Sequence, residues 1–112
     1  MNKPWKQEER QVATLLKGSR FKANTGGRVD VESPHFLAQV KHVKTLSLAK
    51  IEALASEMRG LGHQCRKKGL VVVKRRAGKG IVTPRLVIMT EGVFKCLLNN
   101  KEVVEGIYDE AV

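Results

Sequence analysis

Apolar residues recur at two different spacings along this chain, and the spacing changes from segment to segment. Spacings of three and four residues predict helices over residues 4–17, 46–58 and 91–99. Short alternating or continuous apolar runs predict strands over residues 20–23, 28–32, 36–43, 69–74 and 86–89. The order is helix, three strands, helix, two strands, helix, which is typical of an α/β sandwich with a mixed central sheet.

Capping residues and glycines set the predicted ends of the helices. Pro4 suits the first turn of a helix, and Gly18 stands where the first helix is expected to stop. Ser47 can cap the start of the second helix, whose apolar stripe runs from Leu48 to Met58. The glycines at 60 and 62 are predicted to end that helix.

The strand patterns predict which side chains share a face and how the strands connect. In the second strand, Val29 and Val31 are expected on one face, and Asp30 and Glu32 on the other. The apolar runs at 70–73 and 86–89 predict strands buried on both faces. The connection from the third strand through the second helix to the fourth predicts a right-handed parallel crossover.

Length and composition fit a single basic domain spanning residues 1–112. The chain has 112 residues, of which 42% are hydrophobic, and 21 Lys and Arg against 11 Asp and Glu give a net charge of +10. A charge this large on a small domain attracts polyanions, so nucleic acid is the expected partner. No apolar stretch is long enough to span a membrane, and the two cysteines predict reduced thiols in the cytoplasm.

The candidate chemistry lies on the second and third strands. Gln39 and Lys41 stand two residues apart and therefore share one strand face. An acid at Asp30, the amide of Gln39 and the backbone carbonyl of Val40 offer the hard oxygen ligands that Mg²⁺ prefers. Lys41 can orient water or neutralise charge on a phosphate, and Glu9 can close the site from the first helix.

A simpler explanation applies to each of these residues taken alone. Alternating charged side chains on a strand are commonly its solvated face, and two acids early in a helix favour its positive end. Glu8 remains an alternative to Glu9, because the spacing does not decide which of them points inward. Glu32 is a second acid on the expected face of Asp30.

The combination of these motifs resembles the PD-(D/E)XK nuclease superfamily, and Holliday-junction resolvase-like members in particular. Residues 25–44 read TGGRVDVESPHFLAQVKHVK and follow EER in the first helix. The matching positions are Glu9 before Arg10, Thr25 before Gly26, Asp30 before Val31, and Lys41. The resemblance covers roughly residues 5–94 and implies a restriction-endonuclease-like core with the element order α-β-β-β-α-β-β-α.

The resemblance also implies a function. We expect a Mg²⁺- or Mn²⁺-dependent endonuclease that cleaves branched DNA as a homodimer, with residues 101–112 as a dimer contact or a flexible tail. Its ligands would be Glu9, Asp30, Gln39 and the Val40 carbonyl. The resemblance places such a protein in the cytoplasm of a bacterial, archaeal or phage-infected cell.

Gln39 departs from the family pattern, since resolvases usually carry Glu at this position. A Gln-x-Lys motif is similar to that of some modification-dependent restriction endonucleases in the same superfamily. Loss of one negative charge should weaken metal binding. Two alternatives therefore stay open beside the resolvase-like enzyme: a nicking or restriction-type nuclease acting on linear duplexes, and a catalytically inactive DNA-binding module. RNA also remains open as the substrate.

Basic residues cluster on three segments of the chain and are expected to contact phosphates. Such contacts give affinity without sequence specificity, and the small number of aromatic residues argues against stacking on single-stranded bases. With Thr25 as a further backbone contact, the expected DNA-binding residues are Arg28, Lys44, Arg66, Lys67, Lys68, Lys74, Arg75, Arg76 and Lys79.

Overall fold

The protein is α/β, with a five-stranded mixed sheet and three helices, as the sequence predicts. The computed structural model describes residues 4–20 and 28–99, so Thr25, residues 21–23 of the strand predicted over 20–23, and the tail at 101–112 lie outside the described residues. The elements are α1 (Pro4–Leu15), β1 (Ser19–Arg20), β2 (Val31–Glu32), β3 (Phe36–Val43), α2 (Leu48–Cys65), β4 (Lys68–Arg75), β5 (Arg85–Ile88) and α3 (Glu91–Asn99).

The strands lie side by side in the order in which they occur along the chain. β1, β2 and β3 are antiparallel neighbours, β3 and β4 are parallel, and β5 returns antiparallel to β4. Ser33 closes the turn between β2 and β3, because its Oγ accepts from the Phe36 N–H at 3.0 Å. The parallel pair needs a long connection, and α2 supplies it, so the predicted parallel arrangement is confirmed.

Two apolar clusters cover the two faces of the sheet. On one face, α1 and α3 pack through Val12 and Val93 against Ala38 and Val72. On the other face, α2 packs through Leu54 and Met58 onto β3 and β4. Residues Gly69–Val73 of β4 are all buried, so the prediction of a strand covered on both faces is confirmed there.

Helix α2 ends later than the sequence predicts. It continues through Gly60 and Gly62 and ends at Cys65, with Arg66 as a left-handed C-cap at φ 59°. Gly62 is required for close packing, because a Cβ there would lie 2.6 Å from the Lys67 carbonyl oxygen. The predicted N-cap is confirmed, since Ser47 Oγ accepts from the Lys50 N–H at 3.1 Å.

The prediction that the fifth strand is buried on both faces is wrong. β5 is an edge strand, and Leu86 and Val87 are 53% and 45% exposed. Leu48, the first residue of the predicted apolar stripe, is also exposed because it lies in the first turn of α2, and Leu15 is exposed as the last residue of α1. None of the helices in the described ranges is both long and apolar enough to cross a bilayer.

Candidate functional site

Asp30 lies directly before β2, at a point where the pairing of β2 with β3 is irregular. The register pairs Ala38 with Val31, yet the Ala38 carbonyl accepts from the Asp30 N–H at 2.9 Å. Two successive residues therefore face one, which is the arrangement of a β-bulge. The bulge places Val29 in the α2-side core and Val31 in the core on the α1 side. The prediction that these two valines share a face is wrong for this reason.

The bulge directs the Asp30 carboxylate toward the free side of β3. Asp30 Oδ2 accepts from the Val40 N–H at 2.8 Å, just beyond the last residue of β3 that pairs with β2. Burial raises the pKa of Asp30 above its ordinary value, although the Val40 N–H and the charges of Lys41 and Arg20 oppose this. The site therefore holds a carboxylate whose negative charge is incompletely compensated.

A second carboxylate, that of the buried Glu9, approaches this site from α1. Glu9 is only 8% exposed, and its Oε1 accepts from Arg20 Nε at 3.1 Å and lies 3.0 Å from Arg20 Nη2. Burial and the negative charge of Asp30 raise the pKa of Glu9, while Arg20 and Lys6 lower it. The net pKa is raised, so Arg20 does not fully balance the two acids.

Gln39 and Lys41 lie on the α2-side face of the sheet, opposite the face that α1 and Glu9 cover. Strand alternation places them with Leu37, which belongs to the α2-side core, whereas Ala38 and Val40 pack on the α1 side. The predicted division of faces along β3 is therefore confirmed. Gln39 is 7% exposed, and its Oε1 has no hydrogen-bond partner among the described residues.

The donor set at this edge fits Mg²⁺ better than it fits Zn²⁺. No cluster of three or more His, Cys, Asp or Glu side chains suited to a metal occurs within residues 4–20 and 28–99. Mg²⁺ needs only one or two carboxylates beside its waters and substrate oxygens. Asp30 and Glu9 provide these, and the Val40 carbonyl points to the same edge because Lys41 and Val43 direct theirs toward β4.

Glu8 also points inward, toward a different group of residues. Its carboxylate accepts a hydrogen bond from Arg85 Nε, and Arg85 also donates to Gln11 Oε1 at 2.6 Å. His42, Lys74 and Arg85 are cross-strand neighbours on β3, β4 and β5, and they form a row beneath Glu8. The sequence predicted Glu8 only as an alternative to Glu9. In the structure both are buried because α1 lies over the sheet with one acid toward each edge.

We expect Glu8→Gln to lower the free energy of unfolding by roughly 1.5–3 kcal/mol, the range for a hydrogen bond to a charged group. Burial opposes ionisation of Glu8, but Arg85, Lys74 and His42 outweigh it, so the net pKa is lowered. This contribution is therefore present above the unfolded pKa and is lost as the pH falls through the lowered folded pKa. Urea titrations should show a stability difference at pH 7 that begins to shrink near the unfolded pKa of about 4.3 and closes below the lowered folded pKa. An equal difference at both pH values would contradict the ion-pair role of Glu8.

The predicted DNA-binding residues divide between the two ends of the sheet. One group lies at or just beyond the C-terminal ends of β3 and β4, and Arg28 is exposed just before the bulge. The other group lies at the start of β4, at the opposite end. The first group is Lys44, Lys74, Arg75, Arg76 and Lys79, and the second is Arg66, Lys67 and Lys68.

No protein-family model, curated protein or solved structure shows significant similarity to this chain.

Proposed function

We propose that this protein is a metal-dependent endonuclease that hydrolyses phosphodiester bonds in branched DNA. The observation that carries the proposal is a pair of carboxylates at one edge of the sheet, the buried Glu9 and the half-buried Asp30. Burial and the charge of Asp30 together raise the pKa of Glu9, so the pair has an excess of negative charge that a divalent cation would neutralise. Perturbed carboxylates in a basic protein are characteristic of a functional site.

Each residue at this edge has a definite role in the proposal. Asp30, Glu9 and the Val40 carbonyl would hold Mg²⁺ or Mn²⁺, which when bound polarises a phosphate oxygen and acidifies a water. Lys41, close enough to lower the pKa of Asp30, stabilises charge on the scissile phosphate. Gln39 would serve as a phosphate contact or as a weak neutral ligand, which requires its buried amide to turn toward this edge from the α2-side face.

Two further observations support a restriction-endonuclease-like core. The elements occur in the order helix, three strands, helix, two strands, helix, with the Glu9, Asp30 and Lys41 motifs on α1, at the β2 bulge and on β3. The second observation is the group of cationic residues near the C-terminal ends of β3 and β4. These side chains can contact the phosphates of the DNA backbone. By the same resemblance, the active form would be a cytoplasmic homodimer that presents one site to each of two strands.

The decisive experiment compares cleavage of a synthetic four-way junction with cleavage of a linear duplex that has the sequence of one arm. We expect junction cleavage in Mg²⁺ or Mn²⁺ and none in EDTA. Equal cleavage of the linear duplex would favour a nicking or restriction-type nuclease instead. A junction in which the arms are RNA tests the sugar preference. Cleavage that persists in EDTA would contradict a metal-dependent mechanism.

A catalytically inactive DNA-binding module is the second candidate, and two features favour it. Arg20 already occupies Glu9 Oε1 with two contacts, and Gln39 brings no charge to the site. Calorimetry separates the candidates, because the enzyme should bind Mn²⁺ in a manner that Asp30→Asn abolishes. The binding module predicts no metal heat, together with DNA affinity that neither metal nor this substitution alters.

A further inference from the structure

An open groove of about 690 Å³ lies between the C-terminal half of α2, the start of β4 and the start of α3. We call it the α2–α3 groove. Arg59, Arg66, Lys67 and Lys68 line it, and no Asp or Glu among the described residues does. Lys67 pairs with Glu32 at 3.0 Å, whereas the other three cations make no ion pair within the described ranges. The groove is therefore strongly positive.

The α2 wall of the groove is built from one helical face. Ser56, Arg59, Gly60 and His63 follow the spacing i, i+3, i+4, i+7, and all four are exposed. A closed pocket would enclose a small ligand on most sides, whereas this exposed wall leaves the groove open along its length. The shape of the groove therefore fits an extended polymer that passes along it better than it fits a small molecule enclosed on most sides.

Gly60 has no packing reason to be glycine. A Cβ at this position would meet nothing within 4 Å, although glycine inside a helix costs stability relative to alanine. Gly62, two residues later, differs because a Cβ there would strike the β4 backbone. What Gly60 does provide is an uncovered stretch of helix in the groove wall. On the opposite wall, Gly92 has no side chain to project into the groove, and the Arg59 side chain extends across the groove to Gly92.

We propose that the α2–α3 groove binds the sugar–phosphate backbone of DNA, with Arg59, Arg66 and Lys68 contacting phosphates and Gly60 admitting the strand. The inference rests on the proposed function for the identity of the ligand, but it requires no catalysis. The eight residues of β4 run from this groove to the cations at the C-terminal end of the strand, a distance of roughly 23 Å at 3.3 Å per residue. DNA that contacts both ends of the sheet would be bound at the groove as well as near the cleavage site.

The first test measures duplex binding in EDTA by fluorescence anisotropy over a range of NaCl concentrations. Each lost phosphate contact should reduce the slope of log K against log salt by about 0.9, so Arg59→Ser with Lys68→Ser should reduce it by about 1.8. The matched control, Arg10→Ser with Lys50→Ser, removes two exposed cations outside the groove and should leave the slope nearly unchanged. An equal reduction in both double variants would overturn the groove as a specific contact.

The second test blocks the groove without removing charge. Gly60→Gln should weaken duplex binding at least fivefold and raise the melting temperature, because glutamine is the better helix former. Unchanged affinity in this folded variant would overturn the proposal. Binding lost together with a lower melting temperature would also count against it, because Gly60 would then be structural.

The two cysteines allow a third test on the unmodified sequence. Cys96 lines the groove, Cys65 lies outside it, and both are exposed. Duplex DNA should slow the alkylation of Cys96 and leave that of Cys65 unaffected. Equal protection of both would contradict the groove. A wild-type protein that binds duplex in this way but cleaves nothing would remove the nuclease proposal alone, and one that binds no DNA would remove both.

Discussion

Asp30→Asn is expected to abolish DNA cleavage while raising the melting temperature of the metal-free protein at neutral pH. The activity should fall by about 10³-fold, because the substitution removes the central negative charge of the site. The stability should rise because the folded state raises the pKa of Asp30 and so disfavours its ionised form. An asparagine oxygen can still accept from the Val40 N–H. Opposite effects on activity and stability are typical of a functional residue.

The difference in melting temperature between Asp30→Asn and the wild type should depend on pH. Above both the folded and the unfolded pKa of Asp30, the ionised carboxylate costs folding free energy in the wild type and not in the variant. As the pH falls through the raised folded pKa, the wild-type protein takes up the proton and regains stability. The difference in melting temperature should therefore be full at pH 7 in EDTA and vanish below the unfolded pKa of about 3.9.

Two companion variants separate the chemistry from the fold. Lys41→Ala should reduce cleavage by a factor of about 10²–10³ without raising the melting temperature, because its charge helps to stabilise ionised Asp30. Arg10→Ala, on the exposed side of α1, should leave cleavage intact. Cleavage that survives both Asp30→Ala and Lys41→Ala would remove the assignment of this site.

Gly69→Ala is expected to cause the largest loss of stability of any single methyl addition in the described fold. A Cβ at Gly69 would overlap the Met58 carbonyl group, where the backbones of β4 and α2 meet. Neither can move aside as a flexible side chain would, so we expect a loss of about 3 kcal/mol or more. That corresponds to a fall in melting temperature of roughly 10–15 °C, measurable by circular dichroism.

Gly60→Ala is the matched control, since it adds the same methyl group nine residues earlier in the chain. Nothing lies within 4 Å of that position, so this variant should gain up to about 1 kcal/mol from helix propensity. The two substitutions should thus change the melting temperature in opposite directions. If Gly69→Ala melts like the wild type, the close contact between α2 and β4 is wrong.

The sequence predicted well those helices and strands whose ends are set by turn residues directly beside them. β3 and α3 have the predicted bounds, because each is a continuous run with turn residues on both sides. The end of α2 was missed because it depends on contacts that lie far away in sequence. Gly62 stays helical since it must pack against Lys67 and Gly69, and the left-handed cap falls on Arg66 instead. Local propensity carries no information on such a contact.

The candidate site was predictable in its composition but not in its geometry. The acids, the lysine and their order are visible in the sequence, whereas the bulge that aims Asp30 at Val40 arises from strand pairing. Alternation alone therefore put Val29 and Val31 on one face. The burial of both Glu8 and Glu9 follows from where α1 rests on the sheet. The exposure of β5 follows from its place at an edge, which a run of four apolar residues does not reveal.

The position of β4 inside the sheet, between β3 and β5, also has a consequence for how the chain folds. β3 and β4 can pair only after α2 has crossed the sheet, and such non-local parallel pairing is slow. Until then the segment Leu70–Val73 is exposed, and its composition favours intermolecular association. Like charges flank it on both sides, at Arg66, Lys67 and Lys68 before it and Lys74, Arg75 and Arg76 after it. These cations act as gatekeepers against aggregation, whatever else they bind once the chain has folded.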